Sequence, residues 1–254
     1  MIDACDFVYQ QFIDNRVKQH PGFKEGTSGP LLLATHKQTG KKYIVKHTYP
    51  HNAANEYVAC WLAHHLGVPT PSANLLTPND LFSSEYAVAI SFVEGFTRFE
   101  KTNVPMAMQD DLIGQFALNS LIAAEDMMQL NAAGDHIYSY DFSEAFSISD
   151  EFLLKAIMLN DRIGTESVKR RLAAFRKHLE YIGFDIPGLA KEFNLDPERQ
   201  KSVMIATARR VLSITDDEIN AMSSELMEVY PIGYAAYYEE CIRAIKEHVE
   251  NITS

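Results

Sequence analysis

Two hydrophobic periods divide this chain. Up to about residue 100 the apolar positions come in short runs typical of strands. "PLLLAT" and "KKYIVKHT" flank "HKQTG", where Gly40 suits a hairpin turn, and "YAVAISFVEG" is a further strand ended by Gly95. One segment in this region has helical spacing. In "NAANEYVACWLAHHLG", Tyr57, Val58, Trp61, Leu62 and Leu66 form a stripe, Asn52 or Asn55 is placed to cap the start, and Gly67 to close the end. "VPTPSANLLTP" should be extended, because proline restricts both itself and the residue before it.

Beyond about residue 105 the period lengthens. "MQDDLIGQFALNSLIAAED" is helical and "HIYSYDF" alternates as a strand does. From about 150 onward nearly every segment is an amphipathic helix: "DEFLLKAIMLNDRI", "SVKRRLAAFRKHLEYIG", "PGLAKEFN", "DPERQKSVMIATARRVLSI", "TDDEINAMSSELM" and "AYYEECIRAIKEHVENI". Asp196-Pro197 and Thr215-Asp216-Asp217 are good helix starts. The pattern predicts an α+β chain with a small strand-rich lobe over residues 1–95 and a larger, mostly helical lobe over 96–254.

Composition narrows the function classes. At 254 residues, 46% hydrophobic and 22% charged, the chain has the make-up of a globular protein with a sizeable core. Its net charge of −11 argues against general binding to nucleic acid or to anionic membranes, which needs clustered Lys and Arg. A local basic group does occur at Lys169, Arg170, Arg171, Arg176 and Lys177. Three scattered cysteines, Cys5, Cys60 and Cys241, lack CxxC spacing, which points to a reducing compartment. The acidic start "MIDACDFVYQQF" is unlike a signal peptide, and no apolar run is long enough to span a bilayer. These features predict a cytoplasmic protein.

Four features carry candidate chemistry, and each has an ordinary explanation when taken alone. "EGTSGP" precedes a strand, and its Gly26, Thr27, Ser28 and Gly29 have the flexibility to wrap backbone N–H groups around an anion, although most such clusters are only turns. Lys46 lies two after Ile44 in a strand and shares its face; edge lysines of this kind usually snorkel. Glu56 falls near a helix start, where a carboxylate is favourable in any case, but it is also placed to orient Lys46. The fourth is "EDMMQLNAAGDHIYSYDFSEAF". There Asp141 and Asn131 offer oxygen ligands to Mg²⁺, and Asp126 is placed to accept the proton of a hydroxyl.

In chain order these parts become more specific: a glycine loop, a strand lysine, a helix glutamate, D-x-x-x-x-N and a D-F step. The chain resembles the protein-kinase-like fold, whose parts come in this order. It is more particularly similar to the short bacterial HipA-like kinases in "GTSGPLLLATHKQTGKKYIVK", "NEYVACWLAHHLGVPTP" and "DMMQLN…YSYDFSEAF", across about residues 26–146. The resemblance implies an ATP- and Mg²⁺-dependent kinase acting on Ser or Thr of a protein. Residues 26–29 would cover the phosphates and Lys46 would contact them, paired with Glu56. Asp126 would be the catalytic base, with Asn131 and Asp141 as metal ligands. It also implies an antitoxin-type partner.

The surroundings of Asp126 depart from the family pattern. Ala124 and Met127 stand at usually polar positions, and Asp141 is followed by Phe-Ser and not Phe-Gly. Two alternatives follow. One is a small-molecule phosphotransferase of the aminoglycoside-kinase type, whose usual His-Gly-Asp is here Ala-Glu-Asp. The other is a nucleotide-binding interaction module without turnover. The histidines at 47, 51, 64 and 65 show no HExxH spacing, and no GxSxG is present, so metalloprotease and common hydrolase motifs are missing.

Overall fold

The computed structural model describes residues 1–11, 31–47, 49–78, 86–99, 104–124, 128–146, 166–184 and 186–254. Five antiparallel strands form the first sheet. They are β1 (Phe7–Gln11), β2 (Leu31–His36), β3 (Lys42–His47), β4 (Ala73–Leu75) and β5 (Ala87–Ser91), in the order β1-β2-β3-β5-β4. The β2–β3 hairpin closes at Gly40, whose φ of +67° is one that L side chains rarely adopt. Alternation then gives the sheet two faces. Val45, Ala34, Ala87 and Ala89 pack with Phe7 and Ala4 on one side, while Val88 and Ile90 pack with Ala53 of the following helix on the other. Lys46 pairs with Val88 and Ile44 with Ile90, so Lys46 projects toward that helix.

That helix, α1 (Pro50–Leu66), starts a full turn before the predicted caps. Pro50 occupies its first position, where a missing N–H costs nothing, and Tyr49 caps it without a side-chain bond. Asn52 and Asn55 are therefore buried inside the helix and cap nothing. Gly67 ends it in the left-handed conformation, as the sequence suggests. The expected single stripe also proves too narrow. Thirteen of the seventeen residues are buried, because the sheet covers one side of α1 and the C-terminal helices cover the other.

A second, three-stranded sheet carries the acidic segment. Its strands are β6 (Thr97–Arg98), β7 (Gln129–Ala133) and β8 (His136–Tyr140), in that order. The helix α2 (Met106–Leu121) holds this hairpin in place. Gln115, fully buried, donates to the carbonyls of Ile137 (2.8 Å) and Pro69 (2.6 Å) and accepts from Ser139 Oγ. One amide thus ties the β7–β8 hairpin to the turn after α1.

The remaining helices are α3 (Glu166–Glu180), α4 (Pro187–Phe193), α5 (Pro197–Arg209), α6 (Asp216–Met227) and α7 (Ile232–Thr253), with a 3₁₀ turn at Arg210–Ser213. The starts of α5 and α6 are those expected: Asp196 accepts from the Glu198 N–H ahead of Pro197, and Thr215 forms a reciprocal capping box with Glu218. The helix expected in "DEFLLKAIMLNDRI" lies outside the described residues. A strand-rich N-terminal part thus precedes a larger helical part, the α+β arrangement that the change of period predicts.

Candidate active site

Three of the expected residues meet at one point. Lys46 comes from the last residue but one of β3, Glu56 from the second turn of α1, and Asp141 from the residue after β8. Lys46 Nζ bonds Glu56 Oε1 and donates to Asp141 Oδ1 at 2.8 Å. The lysine is mostly buried and Glu56 almost wholly so, at 1% exposure, while Asp141 keeps 33% of its side-chain surface open. Two buried members and one open carboxylate suit a site that receives a ligand from the Asp141 side.

The charges follow from this geometry. Burial works against the Lys46 ammonium, but the Glu56 and Asp141 carboxylates outweigh it and hold Lys46 above the ordinary lysine range. The neighbouring Lys46 charge holds Asp141 below the ordinary carboxylate range, despite partial burial. Burial pushes Glu56 up, with Lys46 opposing. A lysine kept cationic beside an ionised, accessible carboxylate is a pairing able to bind phosphate and a hard cation together.

Asp141 is fixed from several sides. Its φ of +72° is uncommon for a residue with a side chain, and Ala123 and Phe146, at the ends of the adjoining segments, share that feature. Gln129 Nε2 donates to Asp141 Oδ2 (3.2 Å) and Ser143 Oγ to Oδ1 (3.3 Å). The Ser143 carbonyl accepts from Asn55 Nδ2 at 2.6 Å. Phe142, the next residue along, is buried in the main core.

Asn131 stands further along the hairpin. Gln129 pairs with Tyr140, immediately before Asp141, whereas Asn131 pairs with Tyr138. Alternation puts Gln129 and Asn131 on one face, with Asn131 about 7 Å farther along the strand. Phe96 packs near Tyr138 and Tyr140 on that face, with centroids at 5.3 and 6.2 Å. Asn131 is 2% exposed and its Nδ2 has no hydrogen-bond partner. This orphaned amide shares its face with Gln129, which contacts Asp141, and a buried polar group without a partner is one that a ligand could satisfy. Gln129, which the sequence reading passed over, is the amide in contact with Asp141. Its position two before Asn131 on an alternating strand is the only sequence signal for it.

Asp126 and the loop residues Gly26, Thr27, Ser28 and Gly29 lie outside the described residues. Asp141 itself offers hard carboxylate oxygens and Ser143 a hydroxyl oxygen, while Gln129 turns its amide nitrogen to Asp141 and the Asn131 amide stands farther along the strand. Those oxygens fit Mg²⁺, which prefers oxygen and keeps several waters, so that few protein ligands are needed. Among the described residues no cluster of three His, Cys, Asp or Glu could hold a metal by itself.

No protein-family model matches this chain, and no characterised protein matches it in sequence. The fold is nonetheless shared with known proteins. The structure of the Helicobacter pylori proinflammatory kinase CtkA superposes with a TM-score of 0.56 over 92% of this chain and 93% of that one, at 12% identity. A likeness of that kind speaks for the fold: the chain shares the architecture of that kinase over 92% of its length.

Proposed function

We propose that this protein is an ATP- and Mg²⁺-dependent kinase of HipA-like type that phosphorylates Ser or Thr of a protein. The observation that carries the proposal is the meeting of Lys46, Glu56 and Asp141. A buried glutamate aims a lysine, and that lysine reaches the one open carboxylate beside it. Those three side chains come from a strand, a helix and a hairpin end far apart in sequence, and each was expected in that role.

In the proposed reaction Lys46 binds the α- and β-phosphates of ATP, held in place by Glu56. Asp141, together with Asn131, would hold Mg²⁺, which when bound neutralises charge on the phosphates. The acceptor hydroxyl oxygen bonds to the γ-phosphorus while the bond from that phosphorus to the β–γ bridging oxygen breaks. ADP leaves, and the hydroxyl proton passes to Asp126. The protein's contribution is positioning and charge, since this transfer asks for little covalent chemistry.

Radiolabelled ATP tests the reading. The wild type should label itself or lysate proteins on Ser or Thr. Asp126→Ala should retain nucleotide affinity while transfer falls by at least about 10²-fold, the contribution of a positioned general base. Label found only on a small molecule would transfer the assignment to a small-molecule phosphotransferase. Tight ATP binding without any label would make the chain an interaction module.

A further inference from the structure

The carboxylate of Asp141 is connected to the C-terminal helix by hydrogen bonds that run through Asn55 and Ser143, the two nearest the helix being buried. Tyr238 of α7 donates from its hydroxyl to Asn55 Oδ1 at 2.6 Å. The same amide donates from Nδ2 to the Ser143 carbonyl at 2.6 Å, and Ser143 Oγ donates to Asp141 Oδ1. Tyr238 and Asn55 are both fully buried, and Ser143 is nearly so. A second tie from α7 runs alongside, from the Tyr237 hydroxyl to the Phe146 carbonyl (2.5 Å).

The direction of each bond matters. A phenol in this setting donates, so it fixes which end of the Asn55 amide faces α7. The NH₂ end must then face Ser143. Packing alone does not call for an asparagine here, because a buried amide is costly unless both its ends are satisfied. Nor does packing call for this hydroxyl. Tyr234, on the same helix and equally buried, has an OH without a hydrogen-bond partner, so its ring packs without one. The Tyr238 hydroxyl differs in being spent on Asn55. What Asn55 holds is the backbone two residues past Asp141, on the segment whose positive φ needs outside support.

We propose that Tyr238 and Asn55 are positioning residues for Asp141: through the Ser143 carbonyl they hold the turn that presents the Asp141 carboxylate to a divalent cation. The inference rests on Asp141 being a metal ligand in the proposed kinase. It places the far end of that site on the C-terminal helix, nearly a hundred residues away in sequence. Groups hydrogen-bonded to a metal ligand, as Ser143 is to Asp141, commonly change metal affinity when altered, and Asn55 and Tyr238 stand in turn behind Ser143.

Mn²⁺ binding in the presence of ATP, followed by electron paramagnetic resonance of the free ion, reads this directly. Nucleotide affinity without metal and thermal unfolding are measured on the same samples. Tyr238→Phe, which keeps the ring, should weaken Mn²⁺ binding by about 10-fold and leave metal-free nucleotide affinity unchanged. Tyr234→Phe should bind Mn²⁺ as the wild type does. Asn55→Ser breaks the run at its next link and should repeat the Tyr238→Phe result, and it serves if Tyr238→Phe does not fold. Wild-type Mn²⁺ binding in both Tyr238→Phe and Asn55→Ser would overturn the inference. So would an equal fall in metal-free nucleotide affinity, or the same loss in Tyr234→Phe. A wild type that binds ATP with no contribution from Mn²⁺ would overturn the metal-ligand reading of Asp141 first and this inference with it.

Discussion

Asp141 combines three properties in one residue: an uncommon backbone conformation, contact with a buried lysine, and an open face. Its depressed pKa has a definite consequence for stability. A carboxyl whose folded pKa lies below its unfolded value stabilises the fold above the unfolded value, near 3.8, and the contribution disappears as pH falls through the lower folded one. The difference in unfolding free energy between wild type and Asp141→Asn should therefore be constant from neutrality down to about pH 4 and shrink below it. Urea unfolding of both proteins across that range measures it. At this scale the sequence was informative wherever chemistry forces a residue type. Lys46, Glu56 and Asp141 were picked out by type and order, and the fold brings them into contact. Gln129, Asn55 and Tyr238 were not, because each acts through a partner brought close only by folding: Gln129 by strand register, and Asn55 and Tyr238 by the packing of α7 on α1.

Among the elements, the long helices were legible because their apolar period persists for several turns, and the starts of α5 and α6 because their caps are explicit. Short strands were harder. "QLNAA" gives little β signal, since Asn and Ala are poor strand formers, and pairing with β8 makes it a strand, whereas "FVYQQ" opens on three good strand formers but is only five residues long. The start of α1 was misplaced because Pro50 outcompetes the asparagines as an initiator. Its other end offers a clear test. Gly67 has φ +64°, and a Cβ there would lie 2.4 Å from Nη1 of Arg210, the atom that donates to the Leu66 carbonyl. Gly67→Ala should cost roughly 1–2 kcal/mol from the left-handed backbone alone, with any displacement of Arg210 in addition. A lower urea midpoint at unchanged slope would register the loss.

For the whole molecule, the notable feature is how firmly α1 is joined to the helical part. Asn55 bonds Tyr238, Tyr57 bonds Glu225, the Pro50 carbonyl accepts from Tyr230, and the Leu66 carbonyl accepts from Arg210. These ties run the length of the helix that carries Glu56, so the lysine–glutamate pair is assembled by the fold itself. The strand-rich part followed by the helical part was readable from the change of period, whereas this docking was not, since it depends on polar groups scattered from residue 50 to 238. The central claim is that Lys46, Glu56 and Asp141 form a site for nucleotide phosphate and metal. Calorimetric titration of ATP with and without Mg²⁺, on wild type and Asp141→Asn, tests it most directly. The wild type should bind ATP more tightly with Mg²⁺ than without, and Asp141→Asn should lose that gain while still folding. Equal Mg²⁺-dependent affinity in the two proteins would contradict the account.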